Sequence, residues 1–286
     1  MSAITKFLPK NHISYLIGKL VHLRGPRIIW TAIIKIFAHY YKINLDEAEF
    51  PVSDYPNLGE FFVRKLKPGL RPISSDGFSI HPADSVITQF QKIKNGKLIQ
   101  AKNKFYDVND FLKDDQALSR YNEGLFVTYY LCPTDYHRVH SAVDGVIQNI
   151  THIPGALWPV NKWSTENIDQ MFSINERVVV EIQTEKGWVA AVFVAATNVG
   201  QIILSFDESI RGNQFNLDKP FVKTNINKSI KKGEELGMFR MGSTVVMLYQ
   251  KSTITDRNLL SVDISSESNE FLESKKTAVK MGQICF

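Results

Sequence analysis

The stretch Gly187 to Phe206 (GWVAAVFVAATNVGQIILSF) decides how this chain is read, because it runs twenty residues without a charge. That length would span a bilayer as a helix. Its centre, however, carries Thr197, Asn198, Gly200 and Gln201, and its apolar positions are rich in Val and Ile. β-branched runs separated by a polar, glycine-containing break describe two buried strands and a turn better than one helix. The stretch therefore predicts a β core and no transmembrane helix.

Working outward, the same signals recur. Val178, Val180 and Ile182 alternate with their neighbours, and Thr244 to Tyr249 is a β-branched and apolar run of strand length. Asp144-Gly145, Pro154-Gly155, Lys186-Gly187 and Lys232-Gly233 mark turns. Residues 207–233 are polar and read as a long surface loop. Toward the N-terminus the period changes. Ile13, Leu16, Ile17, Leu20 and Val21 fall at helical spacing. After the Gly25-Pro26 break so do Ile29, Ala32, Ile33, Ile36, Phe37 and Tyr40. The expectation is an α+β chain. Residues 1–50 form a basic amphipathic helical segment for membrane association, and residues 51–286 form a mainly β catalytic domain.

The charge distribution supports that division. Of the net +5, residues 1–42 hold seven Lys or Arg and no acid, which leaves the remainder at −2. A basic, apolar-faced end points to anionic lipid headgroups rather than nucleic acid, for which no base-reading motif is present. The start shows no compact apolar run followed by a small-residue cleavage site, so no targeting signal is expected. Cys132 and Cys285 are too few for a disulfide framework or a cysteine-rich zinc module, and suit a reducing compartment.

Three short motifs carry chemistry. They are His81-Pro82-Ala83-Asp84-Ser85, Asp135-Tyr136-His137-Arg138-Val139-His140, and Met241-Gly242-Ser243-Thr244 ahead of an apolar strand. His137 and His140 would share a face only on a helix, and no third ligand is suggested by spacing, so no metal is expected. Asp84, His140 and Ser243 hold the residue types of a nucleophilic triad, which is defined by geometry rather than chain order. Spacing leaves three alternatives open: a self-processing enzyme, a serine hydrolase acting on an external substrate, and a non-catalytic lipid-binding module.

Taken together, Asn57 to Ile73, Pro82-Ala83-Asp84 and Asp135 to His140 resemble the phosphatidylserine decarboxylase family. Pro154-Gly155, Asn175-Glu176-Arg177, Ala196 to Gly200 and Gly242-Ser243-Thr244 continue the resemblance in order along nearly the whole chain. Met241 stands where the common bacterial pattern has Leu, and Ser85 where many relatives have Gly. The resemblance implies a proenzyme that cuts itself between Gly242 and Ser243, with His140 as base, Asp84 orienting it, and Ser243 becoming a covalent pyruvoyl cofactor. Chains 1–242 and 243–286 then remain associated. The pyruvoyl group decarboxylates phosphatidylserine, with His137 as candidate proton donor. The implied partner is a phosphatidylserine-containing membrane, reached peripherally from the cytoplasmic side of the cell membrane. The resemblance leaves homo-oligomerisation open. Trp158, Val160 and Trp163 lie in a Pro154–Trp163 loop, and Trp favours the headgroup layer. That loop is expected to touch membrane or substrate.

Overall fold

The computed structural model describes residues 18–101, 104–197, 201–211, 219–240, 243–254 and 277–286. The pattern at Ile13 to Ile17, the turn Asn198-Val199-Gly200 and Met241-Gly242 lie outside these residues, as does the side chain of Ser243. The fold is α+β with a mainly β core, as the sequence suggests.

The strands in chain order are β1 (Ser85–Lys92), β2 (Lys97–Ala101), β3 (Lys104–Asp107), β4 (Leu125–Leu131), β5 (Arg138–His140), β6 (Gly145–Ile153) and β7 (Arg177–Thr184). They continue as β8 (Gly187–Ala195), β9 (Ile202–Leu204), β10 (Asp207–Arg211), β11 (Phe221–Lys223), β12 (Lys228–Ile230), β13 (Glu235–Phe239), β14 (Ser243–Tyr249) and β15 (Thr277–Val279). The large antiparallel sheet runs β11-β6-β7-β8-β14-β4-β1-β15, with β12 also on β6. A smaller sheet runs β10-β9-β13-β5, and β2-β3 form a separate hairpin.

The uncharged stretch Gly187–Phe206 does split into strands, β8 and β9. Both faces of β8 and β14 are buried, which explains why they read as near-continuous apolar runs rather than alternating ones. β14 sits mid-sheet. Each of its seven residues pairs with β4 on one side and β8 on the other. The expected loop at 207–233 differs from the structure, since it contains β10, β11 and β12. Those strands are short and lie toward sheet margins, where burial imposes no apolar pattern: β10 and β12 are mostly polar, and Phe221 and Val222 of β11 are exposed.

Helix α1 (Arg27–Tyr40) buries Ile34 and Ala38 and half-buries Trp30 and Phe37. They pack with Val21, Ile43, Tyr55, Leu58 and Phe61 in a second apolar cluster, so the helical segment shares a core with residues beyond position 50. Phe61 belongs to a short helix, α2 (Leu58–Phe62), capped by the Asn57 side chain accepting from the Glu60 N–H at 2.9 Å. Of the periodic set, Ile29, Ala32, Ile33, Ile36 and Tyr40 are on the exposed face of α1, and only Phe37 is on the packed one. The helix is apolar on both sides.

Candidate active site

The backbone brings the two acid–base motifs together. The His140 N–H donates to the Pro82 carbonyl at 2.8 Å, and the Ile80 N–H donates to the Ala142 carbonyl at 3.0 Å. β5 in turn pairs with β13, with Met238 opposite Arg138, and the Phe239 N–H donates to the His137 carbonyl. The chain leaving β13 passes through Arg240 and residues 241–242 into Ser243, the first residue of β14. Both histidines are therefore fastened to the strand that feeds the Gly242-Ser243 bond.

His140 is buried, and both ring nitrogens are occupied. Nδ1 lies 2.8 Å from the Gly233 carbonyl and Nε2 lies 3.1 Å from the Tyr136 hydroxyl. A carbonyl only accepts, so Nδ1 carries the proton and Nε2 is the basic atom, receiving the Tyr136 O–H. Gly233 can present this carbonyl because its φ is +85°, and a Cβ there would lie 2.6 Å from Ile73. Burial lowers the His140 pKa, partly opposed by the bond to Gly233.

His137 is fully buried and stacked on Phe62 with ring centroids 4.1 Å apart. Its Nδ1 donates to the Asp135 carbonyl at 2.9 Å, and its Nε2 is buried with no hydrogen-bond partner among the described residues. Burial lowers its pKa to about 3, against the raising effect of that carbonyl. Neutral imidazole with a bare Nε2 is its resting form.

Asp84 is 1% exposed. Its register neighbour across the β1–β15 ladder is the segment that carries Lys280. Arg71 grips the carboxylate side-on, Nε to Oδ1 at 2.9 Å and Nη2 to Oδ2 at 2.5 Å. Lys280 Nζ reaches Oδ2 at 3.0 Å and the Met281 N–H reaches Oδ1 at 3.0 Å. Burial would raise the Asp84 pKa, but Arg71, the Met281 N–H and Lys280 outweigh it and hold the carboxyl below its ordinary value. The expected bond from Asp84 to His140 is not made. The Gly233 carbonyl takes that orienting place, and Asp84 instead joins residues on either side of position 242.

The sequence reading missed Arg71, Tyr136, Gly233, Lys280 and Met281. Arg71 and Tyr136 lie inside the quoted motifs, but neither has a spacing that reveals its partner. Lys280 lies 196 positions from Asp84, and only the sheet register brings them together.

The Pro154–Trp163 loop also differs from expectation. Asn175 clips it, accepting from the Trp158 N–H and donating to the Trp158 carbonyl, both at 3.0 Å. Val160 is buried, Trp158 packs on the main core, and Trp163 is half-buried in the helix Lys162–Asn167. This loop turns its apolar side chains inward.

The fit of these residues to a carbonyl cofactor made from Ser243 rests on orphaned polar atoms. His137 Nε2 and the Thr244 hydroxyl, beside Ser243, are both buried without hydrogen-bond partners among the described residues. Buried polar atoms are ordinarily satisfied, so these two keep unused hydrogen-bonding capacity for a group formed at position 243.

Comparison with known proteins shows the family. A family model described as phosphatidylserine decarboxylase matches residues 58–284. Similar curated proteins are named phosphatidylserine decarboxylase proenzyme. One from Vibrio vulnificus (strain YJ016) is 41% identical over 255 residues, covering 87% of this chain and 89% of the relative. One from Vibrio cholerae serotype O1 (strain ATCC 39541 / Classical Ogawa 395 / O395) is 41% identical over 257 residues, with the same coverage. One from Vibrio parahaemolyticus serotype O3:K6 is 38% identical over 271 residues, or 92% of each chain.

Proposed function

Because the chain belongs to the phosphatidylserine decarboxylase family, we propose that it is a proenzyme that cleaves itself at Gly242-Ser243 and then converts phosphatidylserine to phosphatidylethanolamine and carbon dioxide. The observation that carries this reading is the position of Ser243. It opens a central strand whose two full ladders hold the C-terminal piece in place after a cut immediately ahead of it.

In maturation, His140 Nε2 accepts the Ser243 hydroxyl proton as the oxygen attacks the Gly242 carbonyl. The Gly242-Ser243 C–N bond breaks and its nitrogen takes that proton. The resulting ester leaves as the Gly242 carboxylate with loss of the Ser243 Cα proton, and water then releases the nitrogen as ammonia to leave the keto group. The Gly233 carbonyl holds the ring in the tautomer that keeps Nε2 basic. Glycine at 242 leaves that carbonyl open to approach. Asp84 acts through the scaffold, tying Lys280 and Met281 to the long chain. When formed, the pyruvoyl group supplies an electron sink for the carbon that loses carbon dioxide. His137 returns a proton to that carbon from Nε2. An anionic substrate beside the ring raises its pKa from the low resting value and loads the proton.

The enzyme works at a membrane surface. Among the described residues no helix is long and apolar enough to cross a membrane. α1 instead presents Ile28, Ile36 and Tyr40, which are 80%, 70% and 77% exposed, beside exposed Arg24, Arg27 and Lys35. That combination suits peripheral attachment to anionic lipid on the cytoplasmic face.

Intact-mass measurement tests the proposal. Purified protein should give chains of 242 and 44 residues, the shorter with a blocked, ketone-reactive start, and Ser243→Ala should give one chain. A wild-type protein that stays at 32.6 kDa after prolonged incubation would reject it.

A further inference from the structure

A cavity of about 670 Å³ opens between the N-terminal helical segment, α2 and the start of the link to Ser243. Its wall holds five cations, Arg24, Arg64, Lys65, Arg138 and Arg240, against three carboxylates, Glu49, Asp54 and Glu60. Two of these arginines have carboxylate partners. Arg138 pairs with Glu235 at 2.9 Å and Arg240 with Glu60 at 3.2 Å. Arg64 has none among the described residues. It is 5% exposed, its Nη2 makes a 3.3 Å bond to the Thr134 carbonyl, and its guanidinium lies 5.0 Å over the Phe61 ring, while its Nε and Nη1 are buried without a hydrogen-bond partner among the described residues. Arg240 Nε is likewise buried with no hydrogen-bond partner among the described residues.

A guanidinium does not discharge itself by losing a proton at any ordinary pH, so buried, unanswered N–H groups call for an anion. Among the described residues no reacting one lines the cavity, but Arg64 does, and it is near enough to His137 for its charge to act on that ring. Arg138 lies between His137 and His140, Arg240 lies three positions before Ser243, and Phe62, two residues before Arg64, stacks on His137. Phe50 in its wall is exposed, as is Leu23, the chain neighbour of Arg24.

We propose that this cavity is the phosphodiester subsite of the lipid headgroup, with Arg64 as its main donor and Arg240 as its second. The proposal rests on the reading of the chain as a phosphatidylserine decarboxylase, whose substrate carries its phosphorus three bonds from the carbon that loses carbon dioxide. Two anions arrive with that headgroup. The carboxylate is consumed, and a cation clamped on it would resist the loss of its charge. The phosphodiester keeps its charge from binding to release. Arg64 therefore binds ground state and transition state alike, and its effect belongs in KM rather than kcat.

The test uses the full chain and dispersed short-chain phosphatidylserine. Arg64→Gln should still split into two chains, keep kcat within about threefold, and raise KM about ten- to a hundredfold. Arg64→Lys should recover part of that loss, and it carries the same test if the glutamine variant does not fold. In the uncut Ser243→Ala protein, calorimetry should show glycerophosphoserine binding more tightly than inorganic phosphate, with the difference lost in the Arg64 variant. An unchanged KM, or a fall in kcat alone, would overturn the subsite. Inorganic phosphate binding as tightly as glycerophosphoserine would also overturn it, in favour of a free-phosphate site. Failure of the wild-type protein to split or to decarboxylate would instead strike the underlying family reading.

Discussion

The imidazoles of His137, His140 and His81 share one physical condition, since each is buried and held neutral. Burial lowers His81 to about 4 and His137 to about 3. In the unfolded chain both titrate near the ordinary histidine value of about 6.5. Below that pH the unfolded state takes up protons that the folded state refuses, so stability declines as the solution is acidified. Each such group contributes a slope of about 1.4 kcal/mol per pH unit until its folded pKa is reached. Urea unfolding of uncut Ser243→Ala protein should therefore show its midpoint fall between pH 7 and pH 5. His81→Gln should make the fall shallower, and a flat profile would contradict the buried, neutral assignment. The identities of these side chains were legible in the sequence, but their environments were not. Asp135-Tyr136-His137-Arg138-Val139-His140 shows two imidazoles. Only the packing shows that one faces Gly233 and Tyr136 while the other presents a bare nitrogen.

β14 governs behaviour at the level of the element. Val245, Val246, Met247, Leu248 and Tyr249 are fully buried, and the strand is hydrogen-bonded along both edges. The piece that follows the cut is also held at β15, where Ser85 pairs with Val279, and at Asp84 through Lys280 and Met281. The two chains should accordingly co-elute in native size-exclusion chromatography, including at high salt, and separate only in denaturant. Separation in salt alone would mean that ion pairs rather than strand burial hold them. This strand was readable from its unbroken apolar run, as were β7 and β8. The strands within 207–233 were not, because pairing at a sheet margin leaves no periodic trace. Asp84 was found by motif, yet its partners Arg71 and Lys280 depend on a register that local sequence does not encode.

For the whole molecule, α1 is the part that works in two directions. Ile34 and Ala38 close the second apolar cluster, while Ile28 and Ile36 stand in solvent. Helical periodicity identified an apolar segment but could not say which stripe would meet the protein. Deleting the segment would uncover Tyr55, Leu58 and Phe61, so substitutions on the outer stripe test membrane contact more cleanly. Ile28→Ser with Ile36→Ser should cut co-sedimentation with phosphatidylserine vesicles about tenfold or more, given about 1.5–3 kcal/mol for each buried isoleucine. Chain splitting should be unaffected, and undiminished sedimentation would place the lipid contact elsewhere. The mid-sheet berth of β14 has one further bearing, on the order of events in the protein's life. A polypeptide ending at position 242 would have to close its sheet around a missing plank. On the proposed cut between 242 and 243, the newborn chain would have to finish its architecture before being severed, and the scission would certify that assembly was completed.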